Sequence, residues 1–113
     1  HHARGANDLD LIRSIPPELI MGVQMSDGPR EPALADYKDD CLRNRVPPGE
    51  GEFGAVDFVR MLIELGVDVP WSLEVCNDDV WGHPGADHVR AAADAMRDVL
   101  ARARGAHTVP GTR

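Results

Sequence analysis

The stretch "AVDFVRMLIELGVDVPWSLEV", residues 55–75, decides the fold class because two elements of different period follow one another within it. Apolar residues recur at helical spacing over residues 55–65, and Gly66 stands where a left-handed residue commonly ends a helix. After a proline, polar and apolar residues alternate over residues 71–75, as in a strand with one buried face. Glu74 belongs to the polar set, and an ionised carboxylate there needs either solvent or a positive partner.

The flanking segments continue the alternation of helices and strands. Residues 7–15 predict a short helix, residues 19–25 a mostly buried strand, and residues 84–104 a long amphipathic helix. Residues 29–54 are rich in Pro, Gly and charge, and predict a long loop with at most one helical turn around residues 33–41. Strands that alternate with helices imply an α/β fold with a parallel sheet and outer helices. Because two strands leave unpaired edges and an uncovered face, we expect further strands in the natural protein.

The composition of the 113 residues, 42% hydrophobic and 27% charged, is typical of one soluble globular domain. We expect this domain to span residues 1–105, followed by a frayed tail at residues 106–113. The net charge of −7 argues against a nucleic-acid partner, and no apolar run approaches the ~20 residues of a membrane span. Two distant cysteines predict neither a zinc site nor a disulfide framework, so a cytoplasmic location is expected. The oligomeric state stays open, and a homo-oligomer is compatible with the sequence.

Two polar residues fall near the carboxyl ends of the predicted strands, where parallel α/β folds bind ligands. Gln24 closes the first strand and Glu74 lies near the end of the second, each on the face opposite the large aliphatic residues. An amide oxygen and a carboxylate are hard ligands, which suit Mg²⁺ or Mn²⁺ better than zinc. In the alternative interpretation, Glu74 faces solvent on an edge strand and Gln24 hydrogen-bonds a loop.

Four stretches together carry a resemblance to a known family: "HHARGANDLDLI" at residues 1–12, "IMGVQMSDGP" at 20–29, "NRVPPGEGEFGAVDFVRMLIELGVDVP" at 44–70 and "WSLEVCND" at 71–78. In this order they resemble the carboxyl-terminal part of the xylose isomerase-like TIM barrels, the family of sugar phosphate isomerases and epimerases. The resemblance implies an α/β fold in which the chain forms about three βα units of a (β/α)8 TIM barrel, with parallel strands and outer helices.

The same resemblance implies a divalent cation held by a Glu, an Asp, a His or Gln, and a final Glu at successive strand ends. Glu74 matches the final glutamate, and Gln24 matches the third ligand, which is usually histidine in the epimerases. The first two ligands would precede His1, and because the chain does not begin with methionine we expect that it was cut from a longer one or trimmed. The chain alone is expected to be inactive, because it supplies half of the metal ligands.

Residues that contact a small sugar-like or hydroxy-keto substrate are also implied by the resemblance. His1 resembles the histidine of a D-x-x-H pattern; His1 and His2 are either native or a tag remainder, and the continuation "HARG" favours the native interpretation. Arg45 matches the arginine that reaches substrate oxygens or a carboxylate, with Arg30 as its rival, and the alternative for Arg45 is a solvated loop arginine. Asp27 either orients groups around the ligands or caps a turn.

The chemistry that the resemblance implies is proton removal next to a carbonyl, with Glu74 as both metal ligand and participant in proton transfer. If a second carboxylate returns the proton, the enzyme is an isomerase or epimerase of carbohydrate metabolism, which is the leading hypothesis. Glutamine at position 24, together with "SLEVCND", is instead similar to the pattern of the bacterial 3-dehydroshikimate dehydratases of this superfamily. In that reaction the enolate expels hydroxide, so a lyase is the alternative. A non-catalytic half barrel is the third hypothesis.

Overall fold

Helices and strands alternate along the chain in a computed structural model that describes residues 1–105. The predicted tail at residues 106–113 lies outside the described residues. In chain order the elements are α1 (Leu9–Arg13), β1 (Val23–Met25), α2 (Tyr37–Arg43), α3 (Ala55–Glu64), β2 (Trp71–Leu73) and α4 (Gly85–Gly105), with 3-10 turns at Pro17–Leu19 and Asp78–Val80. The predicted α/β class is confirmed. Within the described range, no helix is both long enough and apolar enough to cross a membrane.

β1 and β2 are neighbours in a parallel sheet, as the alternation of elements predicted. Each strand has 3 residues, so the strands predicted at residues 19–25 and 71–75 were too long. Pairing begins where the amide of Val23 donates to the carbonyl of Pro70. The chain before β1 forms the 3-10 turn Pro17–Leu19 and does not extend the strand. Met21 consequently lies outside the paired region and is 83% exposed, so the prediction of a mostly buried strand was wrong at this position.

The core lies on one face of this sheet, where α3 and α4 pack together as outer helices. Val59 of α3 and Val99 of α4 are fully buried, and Met25 of β1 and Met96 of α4 are nearly so. Burying a side chain of this size contributes about 1.5 to 3 kcal/mol relative to leaving it exposed. Gly66 follows α3 with a φ of 84°, the left-handed conformation that the sequence predicted.

The predicted long loop contains more regular structure than expected. α2 begins after Asp36, whose side chain accepts a hydrogen bond from the amide of Asp39 at 2.9 Å. This cap makes the helix start later, and run longer, than the single turn predicted around residues 33–41. Isolated antiparallel bridges tie the loop to the ends of both strands: Asp27 with Val46, and Asn44 with Asn77. The loop is therefore fixed at the carboxyl edge of the sheet, where ligands were predicted to bind.

Candidate functional site

Gln24 lies in β1 and Glu74 directly follows β2, so both residues are at the carboxyl end of the sheet. The register pairs Gln24 with Ser72, and Glu74 follows Ser72 by two residues, the repeat that returns a side chain to the same face. The chain at Glu74 stays attached to β1, since its amide donates to the carbonyl of Met25 at 3.1 Å. Both residues are exposed. Solvent therefore satisfies the carboxylate of Glu74 in the described chain, and its binding of a cation stays a prediction.

A cleft of about 330 Å³ opens beside the end of β1, between the N-terminal segment and the start of α3. It brings together residues that were predicted to contact a ligand: His1, Gln24 and Arg30. The other two predicted contact residues, Glu74 and Arg45, do not line this cleft. The structure thus brings three of the predicted contact residues together. The binding of one cation by both Gln24 and Glu74 stays a prediction.

Arg30 is held at the cleft by Glu52. The amide of Arg30 donates to Oε2 of Glu52 at 2.8 Å, and Nη2 of Arg30 donates to the carbonyl of Glu52 at 3.1 Å. Because a guanidinium carries several N–H donors, this exposed side chain keeps donors for an anionic ligand. Of the two rival arginines, Arg30 is the one that lies beside Gln24.

Arg45 is buried, with 5% of the residue exposed, so the alternative of a solvated loop arginine was wrong. Nη2 of Arg45 donates to Sγ of Cys41 at 2.9 Å, and the guanidinium carbon lies 5.1 Å from the centre of the Phe53 ring. Its backbone is fixed as well, because its amide donates to the carbonyl of Cys76 at 2.8 Å and its carbonyl accepts from Nδ2 of Asn77 at 2.9 Å. Substrate binding by Arg45 stays a prediction.

Asp27 is a buried residue whose carboxylate caps the glycine-rich loop at residues 49–54. Its carboxylate accepts hydrogen bonds from the amides of Gly28, Gly49 and Phe53, each at 2.9 Å. Gly51 belongs to the same arrangement, because a Cβ at that position would collide with the Asp27 carboxylate. Of the two interpretations of Asp27, the structure shows the capping one, since amide donors satisfy the carboxylate without an ion.

Replacing Asp27 with Ala is expected to lower the free energy of unfolding by about 3 kcal/mol or more, because buried amides lose a charged acceptor. Urea denaturation followed by circular dichroism measures the change. Asp94→Ala is the matched control, since Asp94 is an exposed carboxylate of α4 paired with Arg97, and its loss should cost less than about 1 kcal/mol. Equal effects of the two substitutions would show that Asp27 does not hold the loop.

A buried ion pair between Arg4 and Asp40 was not predicted from the sequence. Nη1 of Arg4 donates to Oδ2 of Asp40, and the two side chains are 3% and 0% exposed. Nε and Nη2 of Arg4 donate to the carbonyl of Pro29 at 3.1 and 2.8 Å. The guanidinium carbon also lies 5.9 Å from the centre of the Tyr37 ring and 5.4 Å from that of Phe53. Arg4 thereby fixes the N-terminal wall of the cleft against α2.

Asp40 is held in its charged form by neighbouring donors. Its Oδ1 accepts hydrogen bonds from the amides of Ala33 at 2.8 Å and Leu34 at 3.2 Å, and from Nδ2 of Asn44 at 3.1 Å. Burial alone would raise the pKa of Asp40, but the hydrogen bonds from Arg4, Asn44 and the two amides lower it to about 2. No local pattern predicts this pair, because Arg4 and Asp40 lie 36 residues apart.

The metal ligands that this chain offers are few. Among residues 1–105, no group of three or more His, Cys, Asp or Glu residues is positioned to hold a metal ion. The donors at the strand ends are the amide oxygen of Gln24 and the carboxylate of Glu74, whose hardness fits Mg²⁺ or Mn²⁺. Metal binding by these two residues stays a prediction.

Comparison with known proteins gives one informative similarity. No family model matches the chain. The 3-dehydroshikimate dehydratase of Pseudomonas putida is 36% identical to it over 94 residues. The chain is thus similar to part of a dehydratase. The match covers 82% of this chain and 14% of the dehydratase. Because 94 of the 113 residues are matched, the matched segment includes positions 24 and 74 wherever it begins. The mixed α/β structure with parallel strands is compatible with part of a TIM barrel.

Proposed function

We propose that this chain forms the carboxyl-terminal part of the TIM barrel of a metal-dependent lyase, which removes water from a hydroxy-keto substrate such as 3-dehydroshikimate. The observation that supports this proposal is the parallel register, which pairs Gln24 with Ser72, while Glu74 directly follows β2 and its amide donates to the carbonyl of Met25. The similarity to the dehydratase of Pseudomonas putida covers both residues and supports the same chemistry.

Gln24 and Glu74 would hold a Mg²⁺ or Mn²⁺ ion through their side-chain oxygens, together with ligands from outside the chain. When bound, the ion would stabilise the negative charge that develops on the carbonyl oxygen of the substrate. The second task of Glu74 is to accept the proton next to that carbonyl, which a carboxylate at the site can do. Loss of a hydroxyl group from the neighbouring carbon then completes the dehydration.

Arg30 and His1 would bind the polar groups of the substrate from the cleft wall. A guanidinium binds a carboxylate with two parallel hydrogen bonds, and the exposed Arg30 has donors left for this purpose. Asp27 acts indirectly, since it caps the loop that carries Phe53. Arg45 is buried beneath that ring, and it would reach a substrate carboxylate only if the ligand enters between Phe53 and α2.

An isomerase or epimerase of sugar-like substrates would use the same first proton transfer, and it stays the second candidate. The two reactions differ in their second step, because a second carboxylate returns the proton in the isomerase, whereas hydroxide leaves in the lyase. The similarity to a dehydratase favours the lyase. For either reaction, the isolated chain is expected to show no turnover because it lacks half of the predicted metal ligands.

A chimera tests this function. The 94-residue segment of the Pseudomonas putida dehydratase that matches this chain is replaced by the corresponding segment of this chain. With Mn²⁺ or Mg²⁺, the folded chimera should convert 3-dehydroshikimate to an aromatic product, followed by its ultraviolet absorbance. Conversion of ketohexoses instead would establish the isomerase. A folded chimera that binds Mn²⁺ but converts neither substrate would refute both reactions.

A further inference from the structure

The guanidinium of Arg45 is a buried cation without a carboxylate partner among the described residues. Its Nη2 donates to Sγ of Cys41, and its Nη1 is buried with no hydrogen-bond partner in the same part of the chain. The carboxylate of Asp40, next to Cys41 in the chain, is already engaged by Arg4. A buried charge without compensation costs several kcal/mol, and the sulfur of Cys41 is the side-chain acceptor that this guanidinium contacts among the described residues.

The surroundings of Arg45 keep its guanidinium on this sulfur. The ring of Phe53 covers one side, and a Cβ on Gly28 would come within 3.2 Å of Nη1. The backbone hydrogen bond from Arg45 to Cys76 holds the residue at the end of α2, in which Cys41 lies. Cys41 itself is half-buried, whereas Arg45 is buried.

We propose that Cys41, whose sulfur accepts a hydrogen bond from the buried guanidinium of Arg45, is a reactive thiol that hydrogen peroxide oxidises to a sulfenic acid. The sulfur attacks one peroxide oxygen, the O–O bond breaks, and the hydroxide that leaves takes a proton from solvent to become water. The sulfur loses two electrons and the peroxide gains them. The oxygen added to the sulfur could accept a hydrogen bond from Nη1 of Arg45, which has no acceptor among the described residues.

Cys76 is an internal control for this reaction. It is free and half-buried like Cys41, but no described side chain donates a hydrogen bond to its sulfur. A neighbouring cation favours the anionic form of a thiol, and that form is the nucleophile. The two cysteines therefore differ in their charged neighbours, because the guanidinium of Arg45 lies beside Cys41 and the amino terminus of His1 also interacts with Cys41.

Alkylation of the full chain by iodoacetamide at pH ~6.5, measured by peptide mass spectrometry, tests the proposal. We expect Cys41 to react roughly ten times faster than Cys76, because a guanidinium lies within hydrogen-bond distance of its sulfur. In concentrated urea the ratio should fall to about 1, because the guanidinium no longer lies on the sulfur. Peroxide followed by dimedone should label Cys41 alone. Equal or slower reaction of Cys41 in the folded chain would overturn the proposal.

Arg45→Met should abolish the preference for Cys41, because it removes the charge and keeps an apolar side chain of similar length. Arg43→Met is the matched control, since Arg43 lies even nearer to Cys41 in the chain, two residues away instead of four, but pairs with Asp78 on the surface at 3.1 Å. Persistence of the preference in a folded Arg45→Met chain would remove Arg45 from the proposal. If that variant does not fold, the ratio of rates in the native and denatured wild-type chain decides the question.

Discussion

Glu74→Gln is expected to reduce the metal-dependent turnover of the chimeric dehydratase by about 10³-fold, with its thermal unfolding unchanged. Glutamine keeps the size of the side chain, but it has neither the negative charge that attracts a cation nor a basic oxygen that accepts a proton. The fold should tolerate the change because Glu74 is exposed and its backbone amide, not its side chain, bonds to β1. Turnover at saturating 3-dehydroshikimate and Mn²⁺, together with circular dichroism melting, measures both effects.

The matched control for this substitution is Glu64→Gln. Glu64 is an exposed carboxylate at the end of α3, away from the polar face of the sheet, and its replacement should leave turnover within about twofold. Mn²⁺ affinity, followed by electron paramagnetic resonance, gives a readout independent of turnover, and it should weaken for Glu74→Gln alone. Undiminished turnover in Glu74→Gln would remove this residue from the active site.

The parts of the fold that could be predicted are those in which the deciding interactions are local. α3 follows from apolar spacing within one stretch, and its end at Gly66 follows from the backbone conformation that glycine tolerates. α4 follows from the same spacing over 21 residues. The strands were predicted at the right places but too long, because a strand extends only as far as a neighbour pairs with it.

The parts of the site that could not be predicted depend on contacts between distant residues. The sequence left Asp27 open between a turn cap and a residue that orients the ligands, and it gave no indication of the amides that Asp27 binds or of the burial of Arg45 against a thiol. The partners of Asp27 lie up to 26 residues away, and no periodic pattern connects them. Gln24 and Glu74 depend on such contacts less: both lie at the carboxyl ends of neighbouring parallel strands, as predicted, although Glu74 falls just outside the paired residues of β2.

Loss of the ion pair between Arg4 and Asp40 is expected to cause the largest change in the free energy of unfolding. Arg4→Met should destabilise the chain by about 3 to 5 kcal/mol, because it leaves a buried carboxylate without its cationic partner. The methionine side chain can still contact the rings of Tyr37 and Phe53, so the loss reports mainly on the charge. Urea denaturation at neutral pH measures it.

Acid should reduce the difference between the wild-type chain and Arg4→Met. The pKa of Asp40 in the folded chain is about 2, below its ordinary value of 3.8. The contribution of a carboxylate with a lowered pKa is fully present above the ordinary value, and it is lost as the pH falls toward the lowered one. Repeating the denaturation across this acid range should therefore show the wild type losing stability toward that of the variant.

Two further variants separate the charge from the packing of Arg4. Arg97→Met removes an exposed partner of Asp94 and should cost less than about 1 kcal/mol. Combining Arg4→Met with Asp40→Asn removes both charges but keeps an acceptor for the Ala33 amide, so it should recover about 2 kcal/mol of the loss. A double variant as unstable as Arg4→Met would mean that packing, not charge, fixes the N-terminal segment. Recovery would mean that one ion pair holds His1 and the cleft wall in position.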